Sequence, residues 1–271
     1  MPSLYVVATP IGNLEDISQR AIRILSAVTL IAAEDTRTTG KLLSAYGIHT
    51  PLTSYHEHNK LTKLDYILDC LTKGDVALVS DAGMPGISDP GYELISALST
   101  KNIPIIPIPG PSALISALVV SGLPTDRFLY LGFLPHKHSD RVKMIRDNSN
   151  QRATLIFYES PHRLAESLQD LLDILGDRRI AVCRELTKLH EEVFRGTLSE
   201  AAGHFTQPRG EFTLVVEGNT GPAEELSLAT IEQLIRQARN SGKTARAALP
   251  EIARTSGRSR KELYNLWLKI K

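Results

Sequence analysis

With 271 residues, a formal net charge of +1 and 42% hydrophobic residues, the chain has room for two well-filled cores and the composition of a soluble globular protein. Its two cysteines, Cys70 and Cys183, stand far apart in no C-x-x-C pattern, which argues against a disulfide or zinc framework. No stretch approaches the roughly 18 apolar residues of a membrane span, and the first apolar run stops at Pro10, too short for a signal peptide, so a cytoplasmic protein without membrane contact is expected.

Residues 4 to about 121 alternate strands with helical patterns, which predicts an α/β domain (1–121) with a mostly parallel sheet covered on both faces. Its strands are LYVVA, TLIAAE, VALVS and IPIIPI; helices are expected near 18–27, 36–46, 60–72, 90–100 and 111–121. Around Gly122-Leu123-Pro124 a second α/β domain (122–218) begins. It holds strands FLYLGF, TLIFYE, RIAVCR, EVFRGT and EFTLVVE, with helices near 138–148, 162–175 and 198–204. The last two strands read as antiparallel, so this sheet should be mixed. Residues 219–226 read as a linker.

The C-terminal part, 226–271, reads as three short helices in a helix-turn-helix-like module. Ser241-Gly242 and Ser256-Gly257 end the first two, and Ser259 caps the third. So short a piece is expected to dock on the body rather than fold alone. It carries ten Lys/Arg against three Glu, while the rest of the chain is acidic. A basic appendage on an acidic body is the footprint of a nucleic-acid contact, and Arg258, Arg260 and Lys261 are its candidate phosphate ligands. A solvated helical surface is the alternative.

Four strands end in stiff loops that contain glycine. These are Thr9-Pro10-Ile11-Gly12-Asn13, the long SDAGMPGISDPG run (80–91), Pro109-Gly110-Pro111-Ser112-Ala113, and Gly132-Phe133-Leu134-Pro135. In an open α/β sheet, ligands bind beyond the carboxyl ends of strands. No Gly-Lys-Ser/Thr follows any of these loops and no G-x-G-x-x-G follows the first strand, so neither common nucleotide motif is present.

These segments, together with AAEDTRTTGKLL, SYHEHN, FYESPHRL, RELTKLHEE and GEFTLVVEG in this order, resemble the tetrapyrrole-methylase superfamily of class III methyltransferases. The resemblance covers residues 4 to about 218. It implies two α/β domains with S-adenosyl-L-methionine held in the cleft between them, and homodimers. It also implies cofactor contacts at Pro10, Gly12, Asp81, Ala82, Gly83, Met84, Ser112, Ala113, Gly132 and Phe133. Ser80-Asp81-Ala82 departs from the family's Gly-Asp-Pro but keeps the acid. Within the superfamily, the chain resembles the branch that 2′-O-methylates a cytidine in the decoding region of 16S rRNA within the small ribosomal subunit.

Methylating a ribose hydroxyl requires an aligned acceptor and a proton acceptor. Glu34 and Asp35, at a strand end beside the first loops, are the candidate catalytic carboxylates, although Asp35 reads equally well as a helix N-terminal acid. Candidate substrate contacts are Arg37 for a phosphate, Tyr55, His56, Glu57, His58 and Asn59 for an exposed nucleotide, and Arg163 after TLIFY. On an extended segment, His56 and His58 would share one side and Glu57 the other, with no third ligand, so no metal is expected. Two other readings remain: a tetrapyrrole C-methyltransferase, and a non-catalytic ribosome-assembly factor that binds RNA.

Overall fold

The computed structural model describes residues 2–221, 228–256 and 258–270, and for 254 and 255 the backbone alone. Most of the predicted linker, together with Gly257 and Lys271, lies outside the described residues. Residues up to Gly218 form one compact α/β unit, and those from Asn219 form a second.

The first sheet is built from β1 (Leu4–Val7), β2 (Leu30–Ala33), β3 (Leu52–Ser54), β4 (Val76–Val79) and β5 (Ile105–Ile108). Their spatial order is β3-β2-β4-β1-β5, and every pair is parallel. Alternation within each strand sends neighbouring side chains into two separate cores. Ala77 and Val79 join Ile24, Leu25 and Leu43, from helices α1 (Gln19–Ala27) and α2 (Thr36–Ala45). Val76 and Leu78 join Ile67, Leu71, Leu94 and Leu98, from α3 (Lys60–Lys73) and α4 (Tyr92–Thr100). Burial on both faces is why these central strands read as unbroken apolar runs. One strand was not predicted. β3 has only three residues, and it is an edge strand that begins just after Pro51.

The second sheet comprises β6 (Phe128–Phe133), β7 (Thr154–Glu159), β8 (Arg179–Arg184), β9 (Glu192–Thr197) and β10 (Phe212–Val216). It is mixed, with order β6-β7-β10-β8-β9 and a parallel β6–β7 pair. β9 and β10, expected to be antiparallel, are neither partners nor antiparallel: both run antiparallel to β8 and hence parallel to each other. α8 (Leu198–His204) separates them in sequence, and β10 enters between β7 and β8, antiparallel to both. Helices α6 (His138–Asp147), α7 (Leu164–Leu175) and α8 pack on one face. The other face is covered by α5 (Ala113–Val120), whose Ala117 and Leu118 pack on Ile156, Ala181, Cys183 and Val215. α5 follows a strand of the first sheet yet lies on the second, which ties the two together.

The C-terminal unit is α9 (Leu228–Asn240), α10 (Ala245–Ser256) and α11 (Arg260–Lys269). Ile231, Ile235, Ala248, Leu249, Ile252, Leu263 and Trp267 give it a core of its own. Ser259 caps α11 in a reciprocal capping box with Glu262. The Arg239 guanidinium lies 4.8 Å from the centre of the Trp267 ring. No helix among the described residues is long and apolar enough to cross a membrane.

Candidate active site

All five strands of the first sheet end on one edge, and the loops there are stapled together. Thr9 N–H donates to the Gly83 carbonyl at 2.9 Å and Gly83 N–H returns the bond to Thr9 at 3.0 Å. Gly83 sits at φ +77°, a left-handed conformation that suits glycine and lets the two loops meet. Between this edge and the second sheet lies a cavity of about 420 Å³. Asp81, Ala82, Gly83, Met84, Ser112 and Ala113 line it from the first sheet's loops, while Phe133, Tyr158 and Ser160 line it from the second. Its volume is that of a small-molecule site.

Pro10 and Gly12 do not line this cavity; their neighbour Ile11 does. Gly12 serves a close approach instead, since a Cβ there would come within 2.3 Å of Lys188 Cγ. Lys188 in turn bonds Glu185 at 2.9 Å and Glu211 at 2.8 Å. Gly132 and Phe133 belong to β6 itself rather than to a loop after it. Gly132 has φ +70° at an irregularity in the strand register, and Phe133 alone of the two reaches the cavity.

The candidate carboxylates divide. Glu34 lines the cavity, but Asp35 does not. Asp35 caps α2, accepting Arg37 N–H at 2.8 Å, and pairs with the exposed Arg37 guanidinium at 2.6 Å. Those bonds from Arg37 hold the Asp35 carboxyl down at about 2, so this side chain is committed to the helix end. Glu34 and Asp81 are linked through the backbone: Asp81 N–H donates to Glu34 at 3.3 Å, and Asp35 N–H donates to Asp81 at 3.1 Å. Burial raises both carboxyls above their ordinary values, and neighbouring carboxylates add to the rise.

A third acid, Asp89, lies near the far end of the same long loop and also lines the cavity. Burial, then Glu34 and Asp81, push its carboxyl up to about 7. Cys183 also lines the cavity, and burial pushes its thiol up to about 12, which makes it inert.

A second cavity, of about 500 Å³, is lined by His56, Glu57 and His58 together with Glu34, Ser88, Asp89 and Pro90. The YHEHN segment is a turn rather than an extended strand. Asn59 N–H closes on the His56 carbonyl at 3.0 Å, and that is why both histidines and Glu57 share one cavity instead of facing opposite ways. No grouping of three or more His, Cys, Asp or Glu suited to a metal ion occurs among the described residues.

The structure places three candidate substrate contacts elsewhere. Tyr55 is fully buried in the core beneath α3 and α4. The Asn59 amide accepts His56 N–H at 2.8 Å and donates to Ser54, holding the turn. Arg163 pairs with the buried Glu159 at 2.7 Å and donates to the Leu134 carbonyl at 2.8 Å. In the C-terminal unit, Arg260 and Lys261 are exposed and Arg258 is half-buried.

The family model described as Tetrapyrrole (Corrin/Porphyrin) Methylases matches residues 3–202. The chain belongs to this family. The methyltransferase is 47% identical to "Ribosomal RNA small subunit methyltransferase I" of Halalkalibacterium halodurans, over 98% of this chain and 94% of that one. A protein of the same name from Thermotoga maritima is 48% identical over 80% of this chain and 99% of its own. Among solved structures, a uroporphyrin-III-C-methyltransferase from Thermus thermophilus aligns with TM-score 0.58 at 20% identity. That alignment covers 80% of this chain and 94% of the other, and it shows the shared fold.

Proposed function

We propose that this methyltransferase moves a methyl group from S-adenosyl-L-methionine to the 2′-oxygen of a cytidine ribose in 16S rRNA, in the decoding region of the small ribosomal subunit. The choice of substrate is carried by the likeness, over 98% of the chain, to a relative named for small-subunit ribosomal RNA. The cofactor, when bound, supplies a methyl on a positively charged sulfur that needs no further activation.

The first cavity suits that group. Glu34 and Asp81 offer negative charge to its cationic centres, the α5 N-terminus at Ser112 and Ala113 can receive a carboxylate, and Ile11, Met84 and Phe133 offer apolar surface to its base. The acceptor ribose takes the second cavity, where His56, Glu57 and His58 can hydrogen-bond its oxygens. What remains for the protein is alignment, exclusion of water and removal of one proton. Methylation of a tetrapyrrole carbon is the second reading, favoured by the fold likeness alone. The acids Glu34, Glu57 and Asp89 weigh against it, because they would repel the carboxylates that fringe such a ring.

The test is to incubate the protein with labelled cofactor and small subunits from a strain lacking the gene, then to map the label. A single methylated ribose in 16S rRNA is expected. Label on a base, or on a tetrapyrrole offered in parallel, would overturn the assignment.

The basic helices serve as an RNA anchor in this reading. Both cavities are lined by the α/β unit alone, which supports keeping the chemistry there. Replacing Arg258, Arg260 and Lys261 with glutamine should lower the log–log salt slope of subunit binding by about 0.9 for each phosphate left without its cation. Cofactor affinity should not change. An unchanged slope would leave subunit recognition to the α/β unit.

We also propose a cytoplasmic homodimer joined through residues 122–218, where Phe128 and Leu189 stand exposed. Light scattering on active enzyme at micromolar concentration should give twice the monomer mass. A monomer would refute the dimer.

A further inference from the structure

The two cavities share a wall, since Glu34, Ser88 and Asp89 line both. With the donor in the first cavity and the acceptor ribose in the second, the hydroxyl meets the methyl group across that wall. Its proton must leave on the side of the second cavity, so the groups lining that cavity are the ones to compare. Most are already engaged. Glu34 accepts the Asp81 N–H at 3.3 Å, the Ser88 hydroxyl is bonded to the Tyr130 hydroxyl at 2.6 Å, and the Asp89 carboxyl is held by the Ser80 hydroxyl. Glu57 pairs with Lys60 at 2.6 Å. His56 is engaged through Nε2. The Asn59 amide oxygen accepts the His56 N–H, which leaves the amide nitrogen as the donor to Nε2 at 3.2 Å. Nδ1 then carries the proton of the neutral ring, and it is sealed from solvent.

His58 differs from all of these. It lines the same cavity, it is exposed, and no hydrogen bond or ion pair reaches its ring among the described residues. The turn also presents it rigidly. Asn59 closes on His56 twice, through its own N–H at 3.0 Å and through its amide oxygen at 2.8 Å, so residue 58 is carried inside a hydrogen-bonded ring. The His56 ring stands edge-on to that of His58, with centroids 6.0 Å apart.

We propose that His58 is the catalytic base of this enzyme, taking the proton of the hydroxyl that is methylated. The proposal rests on the ribose-methylating reading above. As the hydroxyl oxygen bonds to the methyl carbon, its proton passes to the lone pair of a neutral His58 ring nitrogen. The electron pair of the broken carbon–sulfur bond stays on the departing thioether. Positive charge therefore moves from the sulfonium to the imidazolium, which gives its proton to water once the product has left. The carboxyl groups of Glu34, Glu57 and Asp89 line the cavity where that charge develops, and no Lys or Arg does so among the described residues.

The experiment measures single-turnover ribose labelling of small subunits by wild type, His58→Ala, His58→Gln and His56→Ala, with and without added imidazole. Calorimetric titration of S-adenosyl-L-methionine and a subunit-binding assay accompany it. His58→Ala should bind the cofactor and the subunit within about threefold of wild type, yet transfer the methyl group about 10²–10⁴-fold more slowly. His58→Gln, which can hydrogen-bond but cannot take up the proton, should be as slow. Imidazole should speed His58→Ala by at least about tenfold, more basic imidazoles should do so more strongly, and His56→Ala should not respond. If wild type labels a ribose and His58→Ala does so at more than about a tenth of its rate, His58 is not the base and the substrate reading survives. A Gln variant near the wild-type rate makes the residue a positioning contact, and lost subunit binding in His58→Ala makes it a substrate contact; either result overturns the proposal. So does a slow His58→Ala that gains nothing from imidazole. If wild type labels no ribose, the substrate reading fails and takes the base with it.

Discussion

Replacing Arg141 with alanine is expected to destabilise the α/β unit by about 3–5 kcal/mol, a loss large enough to leave it marginal. Arg141 is the largest fully enclosed side chain in the protein's described core, with 2% of its surface exposed. Its Nε donates to Asp170 at 2.5 Å, and its Nη2 to Glu166 at 3.4 Å. It thereby bolts α6 onto α7 beneath the second sheet. Truncation removes the only Lys or Arg paired with Asp170 among the described residues, where its remaining ionic partner is His138 at 3.2 Å, and strands a nearly buried carboxylate. The damage comes from the abandoned acid rather than from the lost attraction. A double replacement, Arg141→Met with Asp170→Leu, should therefore recover most of the stability. Urea denaturation reads both effects as shifts in midpoint at unchanged slope. Equal loss in the single and double variants would contradict this account.

Asp81→Ala is expected to weaken cofactor binding by about 10–100-fold, the cost of one hydrogen bond to a charged group in a partly enclosed site. Asp81 stands at the carboxyl end of β4, where the loops after β1 and β4 are stapled, and burial raises its carboxyl. Calorimetry with S-adenosyl-L-methionine and with its demethylated thioether adds a second reading. If Asp81 faces the sulfonium, the positively charged donor should lose more affinity than the neutral product. If it holds an uncharged hydroxyl, the two losses should match. A folded variant with unchanged affinity for both would sink the assignment of the first cavity.

The sequence made the first sheet readable because doubly covered parallel strands leave long apolar runs, and the helices between them start at Ser18, Asp35 and Asn59. β3 escaped because three residues, a buried Thr53 between two half-buried neighbours, are too few to display a period. The position of β10 escaped for a different reason. Chain order says nothing about which gap a late strand will fill, and β10 is equally apolar in any of them.

At the site, a loop's composition announced a ligand but not which of its acids would meet it. Asp35 and Asp81 look alike in sequence; the first became a helix cap and the second a cavity wall. Asp89 acquires its character from a fold-back at Ser88, a left-handed residue that nothing in the local sequence requires. Tyr55 sits beside polar neighbours and so resembled a binding residue, yet its ring is absorbed by the core. Aromatic character alone does not separate those two fates.

The central position of β10 also fixes when the second sheet can exist during synthesis. By Ile108 the growing chain contains all five strands of the first sheet, which can pair as soon as they emerge. The second sheet has no such early closure. Until Phe212–Val216 leaves the synthesising machinery, β7 and β8 lack the strand that joins them, and each presents an unpaired apolar edge. A nascent chain halted anywhere between Arg184 and Glu211 therefore carries one finished sheet and one open one. That window is where a holding chaperone is most needed, and where truncated products should aggregate.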